Sequence, residues 1–377
     1  MTNRREFLRG AATAGLVTAA APVAAMSPVH QSVDPPAGLR AHLASEMRKA
    51  RIPGMQVAVA RHGKVIFAES FGLADVENAV PVTRSTVFQI ASCAKAFVAV
   101  ALMQLVESGK LDLDAPASLY LPGLPGAWQS VTVAELASHT SGLPDLVSNL
   151  NTLSLIVHGD AGASWAKVQT MPLEFAPGEK FNYVQTNYVL LGKITDVLAG
   201  EPFSEFIRKR QLDVVGMSRT VYGDDHDVVV HSARTYTPYL VVDGKSVRTD
   251  TLYKTYIEFP PMLRTCGGLN SSAEEMTHWL IALERAALLS NKSSMTALWT
   301  ARTLNDGKPG PWGVGGWVFS RSSHPVFFSV GAAKAAFALY PSDDLAIVAL
   351  TNLSADLWLP FIDGIAANFL PGPPGAP

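Results

Sequence analysis

The chain has 377 residues, 48% hydrophobic and 16% charged, with a formal net charge of −2 at pH 7. This excludes a disordered or fibrous chain and suits a large core in one large or two interlocked domains. There is no basic block and no positive excess, so nucleic acid is not an expected partner.

The first stretch, MTNRREFLRGAATAGLVTAAAPVAAMSP, has a charged start, a short Ala-rich apolar run and small residues ahead of Met26. It reads as a cleavable export signal over residues 1–25, too short for a membrane span. Arg4-Arg5 before Glu6-Phe7-Leu8 resembles the twin-arginine pattern that addresses folded bacterial proteins for export. The mature chain is therefore expected to be periplasmic or extracellular, with no integral membrane span; its oligomeric state is left open.

Next, MQVAVARHGKVIFAESFGLAD predicts strands over Gln56–Arg61 and Val65–Ser70, joined at His62-Gly63-Lys64. A helix is predicted from about Ser92, with Phe97, Val98, Ala101, Leu102 and Leu105 at helical spacing and Gly109 as its C-cap. PVTRSTVF and DLDAPASLYLPGLPG read as turn-rich loops. LLGKITDVLAGEPFSEFIRKRQL predicts two helices broken at Gly200 and Pro202. SSAEEMTHWLIALERAALL predicts a helix with a serine cap and an acidic first turn. Towards the end, GVGGWVFSR, FALYP and LAIVALTNL read as strands, and DLWLPFIDGIAANFL as a last helix. Strands thus lie at both ends and helices between them. The expected fold class is α+β. An antiparallel sheet domain flanked by helices is built from residues 30–90 and 300–377, and a mainly helical inserted domain from 91–299. The active site is expected at their interface.

The two cysteines, Cys93 and Cys266, are expected to be unpaired thiols. There is no C-x-x-C and no H-E-x-x-H, and the nine histidines are scattered. GDDHD around His226 reads as a solvated loop. No metal and no other cofactor is expected.

Ser92-Cys93-Ala94-Lys95 reads S-x-x-K at the head of the apolar helix. Residues three apart share a helix face, so the amine can reach the hydroxyl. Burial and a helix N-terminus both disfavour an ammonium, and a neutral amine can take a serine proton. Backbone N–H groups at the helix start can face an oxyanion. On its own the pattern favours an N-cap serine with a lysine reaching for solvent.

The surrounding segments decide between these. In order they are PGMQVAVARHGKV, FGLAD, TVFQIASCAKAF, LMQLVESGKLDLD, LASHTSGLPD, PGEKFNYVQTNYVLLG, GMSRT, GGLNSSAEEM, WGVGGW and LAIVALTN. Together they resemble the serine β-lactamase and penicillin-binding-protein family, close to its class C-like branch, over nearly all of the mature chain. That branch includes D,D-peptidases, D-aminopeptidases and β-lactamase-fold carboxylesterases, and S-x-x-K is among the family's motifs. The resemblance implies a β-lactamase-like fold, Ser92 as acylated nucleophile, Lys95 as its partner base and Tyr183 of FNYVQTNY as proton shuttle. Gln185 stands where the family usually has asparagine, and is a substrate-binding candidate. His139 in SHTSGLPD has the look of family scaffold, holding a turn near the site.

The third family motif is K-T-G in β-lactamases, H-x-G in many peptidase-like members and W-x-G in several esterases. The region here reads HPVFFSVGAAKAAFALYP. The preferred register puts Ser329-Val330-Gly331 at the motif, with Ser329 and Gly331 as substrate-binding candidates. The backbone N–H groups of Ser92 and Ala332 would then form the oxyanion hole. An alternative register puts Val326-Phe327-Phe328 there. Lys334 is expected to be a surface or loop charge. Neither register supplies a motif lysine to hold a substrate carboxylate, although Arg264 is a candidate elsewhere. The small-molecule substrate expected is therefore an ester, cleaved by a secreted serine hydrolase of carboxylesterase type. The alternatives are an amide or β-lactam substrate (D,D-carboxypeptidase, D-aminopeptidase or β-lactamase), an acyltransferase, or a non-catalytic binding protein of the same fold.

Replacing Arg4 and Arg5 by lysine should trap precursor in the cytoplasm, as read by fractionation and immunoblotting. Unchanged export would contradict the twin-arginine assignment.

Overall fold

The computed structural model describes residues 36–148, 150–243, 245–321, 323–355 and 358–372, so residues 1–25, expected from the sequence to be an export signal, lie outside the described residues. Its strands are β1 Gly54–Arg61, β2 Lys64–Asp75, β3 Val80–Pro81, β4 Phe88–Gln89, β5 Val221–Tyr222, β6 Tyr236–Val242, β7 Lys245–Lys254, β8 Leu269–Ser271, β9 Trp317–Phe319, β10 Val326–Gly331, β11 Ala335–Tyr340 and β12 Leu345–Thr351. Its α-helices are α1 Leu39–Ala50, α2 Ala94–Glu107, α3 Val133–Ala137, α4 Leu150–Val157, α5 Ala161–Val168, α6 Gln185–Ala199, α7 Phe203–Ile207, α8 Asp213–Val215, α9 Arg264–Gly267, α10 Ala273–Glu284, α11 Lys292–Leu298 and α12 Leu359–Ala366.

The β1–β2 hairpin turns at His62 and Gly63, both at positive φ, as a two-residue hairpin loop requires. Seven strands form one antiparallel sheet in the order β3-β2-β1-β12-β11-β10-β9. The two chain ends meet where β1 pairs with β12, with Val57 opposite Ala349. Alternate side chains leave opposite faces. Val57, Val59 and Ile347 pack with Leu39, Leu43, Ile362 and Ile365, under α1 and α12. Ala58, Ala60, Val348 and Leu350 belong to the other core, with α2 and α10. Buried on both faces, β12 reads as a continuous apolar run.

Helix α2 is apolar almost all round because it is enclosed almost all round; Ala94 to Met103 are all buried. Phe97 stacks on Trp279 of α10 with ring centroids 4.2 Å apart. Gln211 bridges the same two residues, donating to the Phe97 carbonyl at 2.9 Å and accepting from the Trp279 indole at 3.0 Å.

Three details differ from expectation. The Ser92 turn is a 3-10 turn, Ala91–Cys93, and the α-helix starts at Ala94; Ser108 is its C-cap, with Gly109 next at φ 69°. Helix α1 was not read from the sequence, because only Leu39 and Leu43 of its twelve residues are buried and its apolar stripe is thin. The mainly helical middle also carries the β6–β7 hairpin.

The side chain of Ser272 caps α10 by accepting from the Glu275 N–H at 3.3 Å. Ser272→Ala should cost about 1 kcal/mol in urea unfolding. A change below about 0.3 kcal/mol would show that this cap contributes little.

Candidate active site

From Thr86 to Met103 every residue is buried except Ser92. The chain reaches Ser92 through β4, and Ala91 sits at φ 44°, a strained left-handed position for alanine. The turn is held by Ile90 N–H to the Leu269 carbonyl at 2.9 Å and Cys93 N–H to the Ile90 carbonyl at 3.1 Å.

Lys95 follows one turn later and is fully buried. Its Nζ lies 3.5 Å from Ser92 Oγ. It donates to Gln185 Oε1 at 2.8 Å and to the Cys266 carbonyl at 2.7 Å. It also lies 4.9 Å from the ring centre of Tyr183 and 5.0 Å from that of Tyr188. The Tyr183 hydroxyl is buried and has no hydrogen-bond partner among the described residues. Gln185, the first residue of α6, is fixed by its N–H donating to Asp145 Oδ1 at 2.7 Å. The longer amide thus still reaches the lysine.

His139 lies beneath Tyr183, ring centroids 4.4 Å apart. Its carbonyl accepts from Asn182 N–H at 2.9 Å, and its Nδ1 from Val184 N–H at 3.2 Å. One residue thereby brackets the tyrosine on both sides. With Nδ1 accepting, the ring proton is on Nε2. Burial holds the imidazole well below its ordinary pKa, with Lys95 acting in the same direction.

Strand β10 closes the other side. A Cβ on Gly331 would overlap the Ile90 carbonyl oxygen and come within 2.9 Å of Ser92 N. Only glycine lets the strand approach the serine turn this closely. Ala332 follows, exposed and at φ 46°. Val326 and Phe328 belong to the core under α1 and α12, while Phe327 packs in the other core. Ser329 is fully buried, its hydroxyl beside the Cys93 thiol.

Lys334 corrects the sequence reading. It is buried, 1% exposed, rather than a surface charge, because the β10–β11 turn folds its side chain inward. Nζ donates to Gln89 Oε1 and to Thr235 Oγ1, both at 2.9 Å. The GDDHD loop is likewise less solvated than expected. Asp224 is buried and accepts from Phe259 N–H at 2.8 Å, because an otherwise unpaired backbone segment needs acceptors. Arg264 donates to the Phe259 carbonyl and pairs with Asp227. Both cysteines are buried free thiols, and burial raises Cys93 to about 12 and Cys266 to about 11. The Cys266 carbonyl was invisible in sequence, since a backbone acceptor has no side-chain signature.

Comparison with known proteins gives this geometry its context. The family model "Beta-lactamase" matches residues 39–364. The chain belongs to the Beta-lactamase family. It is 30% identical to Penicillin-binding protein 4* of Bacillus subtilis (strain 168) over 71% of this chain and 59% of that protein. It is 25% identical to Protein flp of Staphylococcus aureus (strain MW2) over 82% of this chain and 62% of that protein. The chain therefore spans about three fifths of the length of these curated relatives. Among solved structures, "EstCE1, a hydrolase with promiscuous acyltransferase activity" superposes with a TM-score of 0.71 at 20% identity, covering 88% of this chain and 97% of that one. At that identity the likeness is one of fold. Members of this family are serine hydrolases of the penicillin-binding, esterase and class C types.

His139 should remain neutral at pH 5 with its proton on Nε2, as read by ¹⁵N NMR of the imidazole. An unfolded histidine protonates near pH 6.5. Below that pH the unfolded chain binds the extra proton, so His139 makes stability fall as pH falls. An imidazolium at pH 5 in the folded protein would contradict this.

Proposed function

We propose that this chain is an exported serine hydrolase that cleaves neutral carboxylic esters through an acyl-enzyme on Ser92. The observation that carries the reading is the setting of the Lys95 amine. Two acceptors, Gln185 Oε1 and the Cys266 carbonyl, take two N–H bonds. The one remaining position on the nitrogen faces the Ser92 hydroxyl 3.5 Å away, within reach for proton transfer.

In this scheme Ser92 Oγ bonds to the ester carbonyl carbon while its proton passes to Lys95. The carbonyl π electrons move to oxygen, and the oxyanion faces the N–H groups of Ser92 and Ala332. Collapse breaks the carbon–alkoxide bond, and the alkoxide takes the proton through the Tyr183 hydroxyl. Water then repeats the sequence on the acyl-enzyme, restoring Ser92 and releasing the acid. The unpartnered Tyr183 hydroxyl suits this relay, since no resting bond must be broken first.

The preference for neutral esters rests on charge. Ser329 stands where the motif lysine would be, and Arg264 is engaged by Asp227 and the Phe259 carbonyl. A missing charge-assisted hydrogen bond is worth roughly 1.5–3 kcal/mol, or about ten- to a hundred-fold in kcat/KM. A peptide or β-lactam reading is favoured by one observation, the retained amide–lysine contact of Gln185.

Ser92→Ala should abolish hydrolysis and fluorophosphonate labelling. Lys95→Ala and Tyr183→Phe should each lower kcat by about 10²–10⁴-fold without loss of folding. For the wild type, kcat/KM for p-nitrophenyl butyrate should exceed that for a chromogenic cephalosporin by at least about tenfold. Equal or reversed values would replace the esterase reading with a β-lactamase one.

A further inference from the structure

We propose that Lys334 is a positioning residue that staples the turn carrying the Ala332 amide to the segment carrying Ser92. The two N–H groups that would face the oxyanion come from different elements. One follows β4 and the other follows β10. Each lies in or beside a strained backbone position, with Ala91 at φ 44°, Ala332 at φ 46° and Ala333 at φ 50°. Such positions persist only where their surroundings over-determine them.

Lys334 performs that function at three points. Its N–H closes the turn on the Gly331 carbonyl at 2.9 Å. Its carbonyl accepts from Thr351 N–H at 2.7 Å, tying the turn to β12. Its Nζ crosses to Gln89, two residues before Ala91, and to Thr235. The amine therefore links the two strained segments through one side chain. Burial lowers its affinity for a proton, to a pKa of about 7, with Asp225 opposing. Both protonation states carry enough hydrogens for the two acceptors, so the staple holds on either side of neutrality. The other side chains meeting it, Gln89, Thr235 and Thr351, are uncharged.

An isosteric apolar replacement would fill the space but leave Gln89 Oε1 and Thr235 Oγ1 without this donor. The turn would then relax, and a misplaced N–H affects the transition state more than the bound ester.

This inference rests on the reading of Ser92 as the acylated residue, so wild-type labelling by a fluorophosphonate is the first measurement. No label on the Ser92 peptide would overturn both. With Ser92 labelled, Lys334→Met should lower kcat for p-nitrophenyl butyrate by about tenfold or more while KM stays within about twofold. Affinity for an arylboronic acid should fall in parallel. Its boron bonds the Ser92 oxygen as the serine proton leaves to Lys95, giving a tetrahedral anion that reports on the same N–H pair. Gln89→Leu added to Lys334→Met should cost little more, because the two act through one contact. Unchanged kcat and boronate affinity, a loss confined to KM, or full additivity would each overturn the staple and leave the Ser92 reading intact. If Lys334→Met does not fold by circular dichroism, Thr235→Val removes one acceptor from the full chain. It should lower kcat and boronate affinity together by about threefold, and no change in either would overturn the proposal.

Discussion

A buried amine must have its hydrogens accepted, and around Lys95 that requirement joins three elements. The lysine is on α2, Gln185 opens α6, and Cys266 lies on α9. Leaving such a nitrogen without partners would cost several kcal/mol. The accepting groups are therefore constrained to arrive within about 3 Å of one point. Asp145 fixes Gln185 through its N–H, and the Cys266 thiol donates to the Gln185 carbonyl at 3.4 Å. The site is preorganised because its central lysine is dry, and it is dry because α2 is enclosed by apolar packing.

The sheet supplies the second constraint. Strand β10 runs against the serine turn at Gly331, where no side chain fits. The next two strands of the sheet, β11 and then β12, are buried along their whole length, which makes the platform stiff. Strain at Ala91, Ala332 and Ala333 is then held rather than released. Rigid strands, with reactive groups at the turns that end them, can present N–H donors that need no reorganisation during reaction.

Much of this was legible in the sequence because side-chain periodicity reports burial. The β1–β2 hairpin, the apolar run of α2 and the cap of α10 each leave a local pattern. S-x-x-K and the tyrosine segment were legible as motifs, and the helical spacing of Ser92 and Lys95 gave their proximity. The rest is non-local. Lys334 looks like a surface charge in sequence, since lysines are seldom buried. Its burial depends on acceptors at Gln89 and Thr235, which are 245 and 99 residues away. The Cys266 carbonyl and the close approach at Gly331 are backbone facts with no residue-type signal. His139 was legible as scaffold, but its double grip on the Tyr183 segment depends on a fold that brings positions 139 and 182–184 together.

The same distinction bears on specificity. On the proposed reading, the groups that hold Lys95 beside Ser92 bond one another inside the protein, so they are indifferent to which carbonyl arrives. What discriminates substrates must come from the open side, where Ala332 is exposed and Ser92 is accessible. On the strand that borders it, Ser329 is fully buried beside the Cys93 thiol and offers that side no cation. A carboxylate there would exchange water for a site with no matched cation, which disfavours anionic substrates. A neutral ester gives up less hydration on entering and needs only the N–H pair once its carbonyl becomes an oxyanion. On the proposed ester-cleaving reading, a dry Ser92–Lys95 centre beside a strand without a cation would act through transition-state charge rather than through ground-state anchoring.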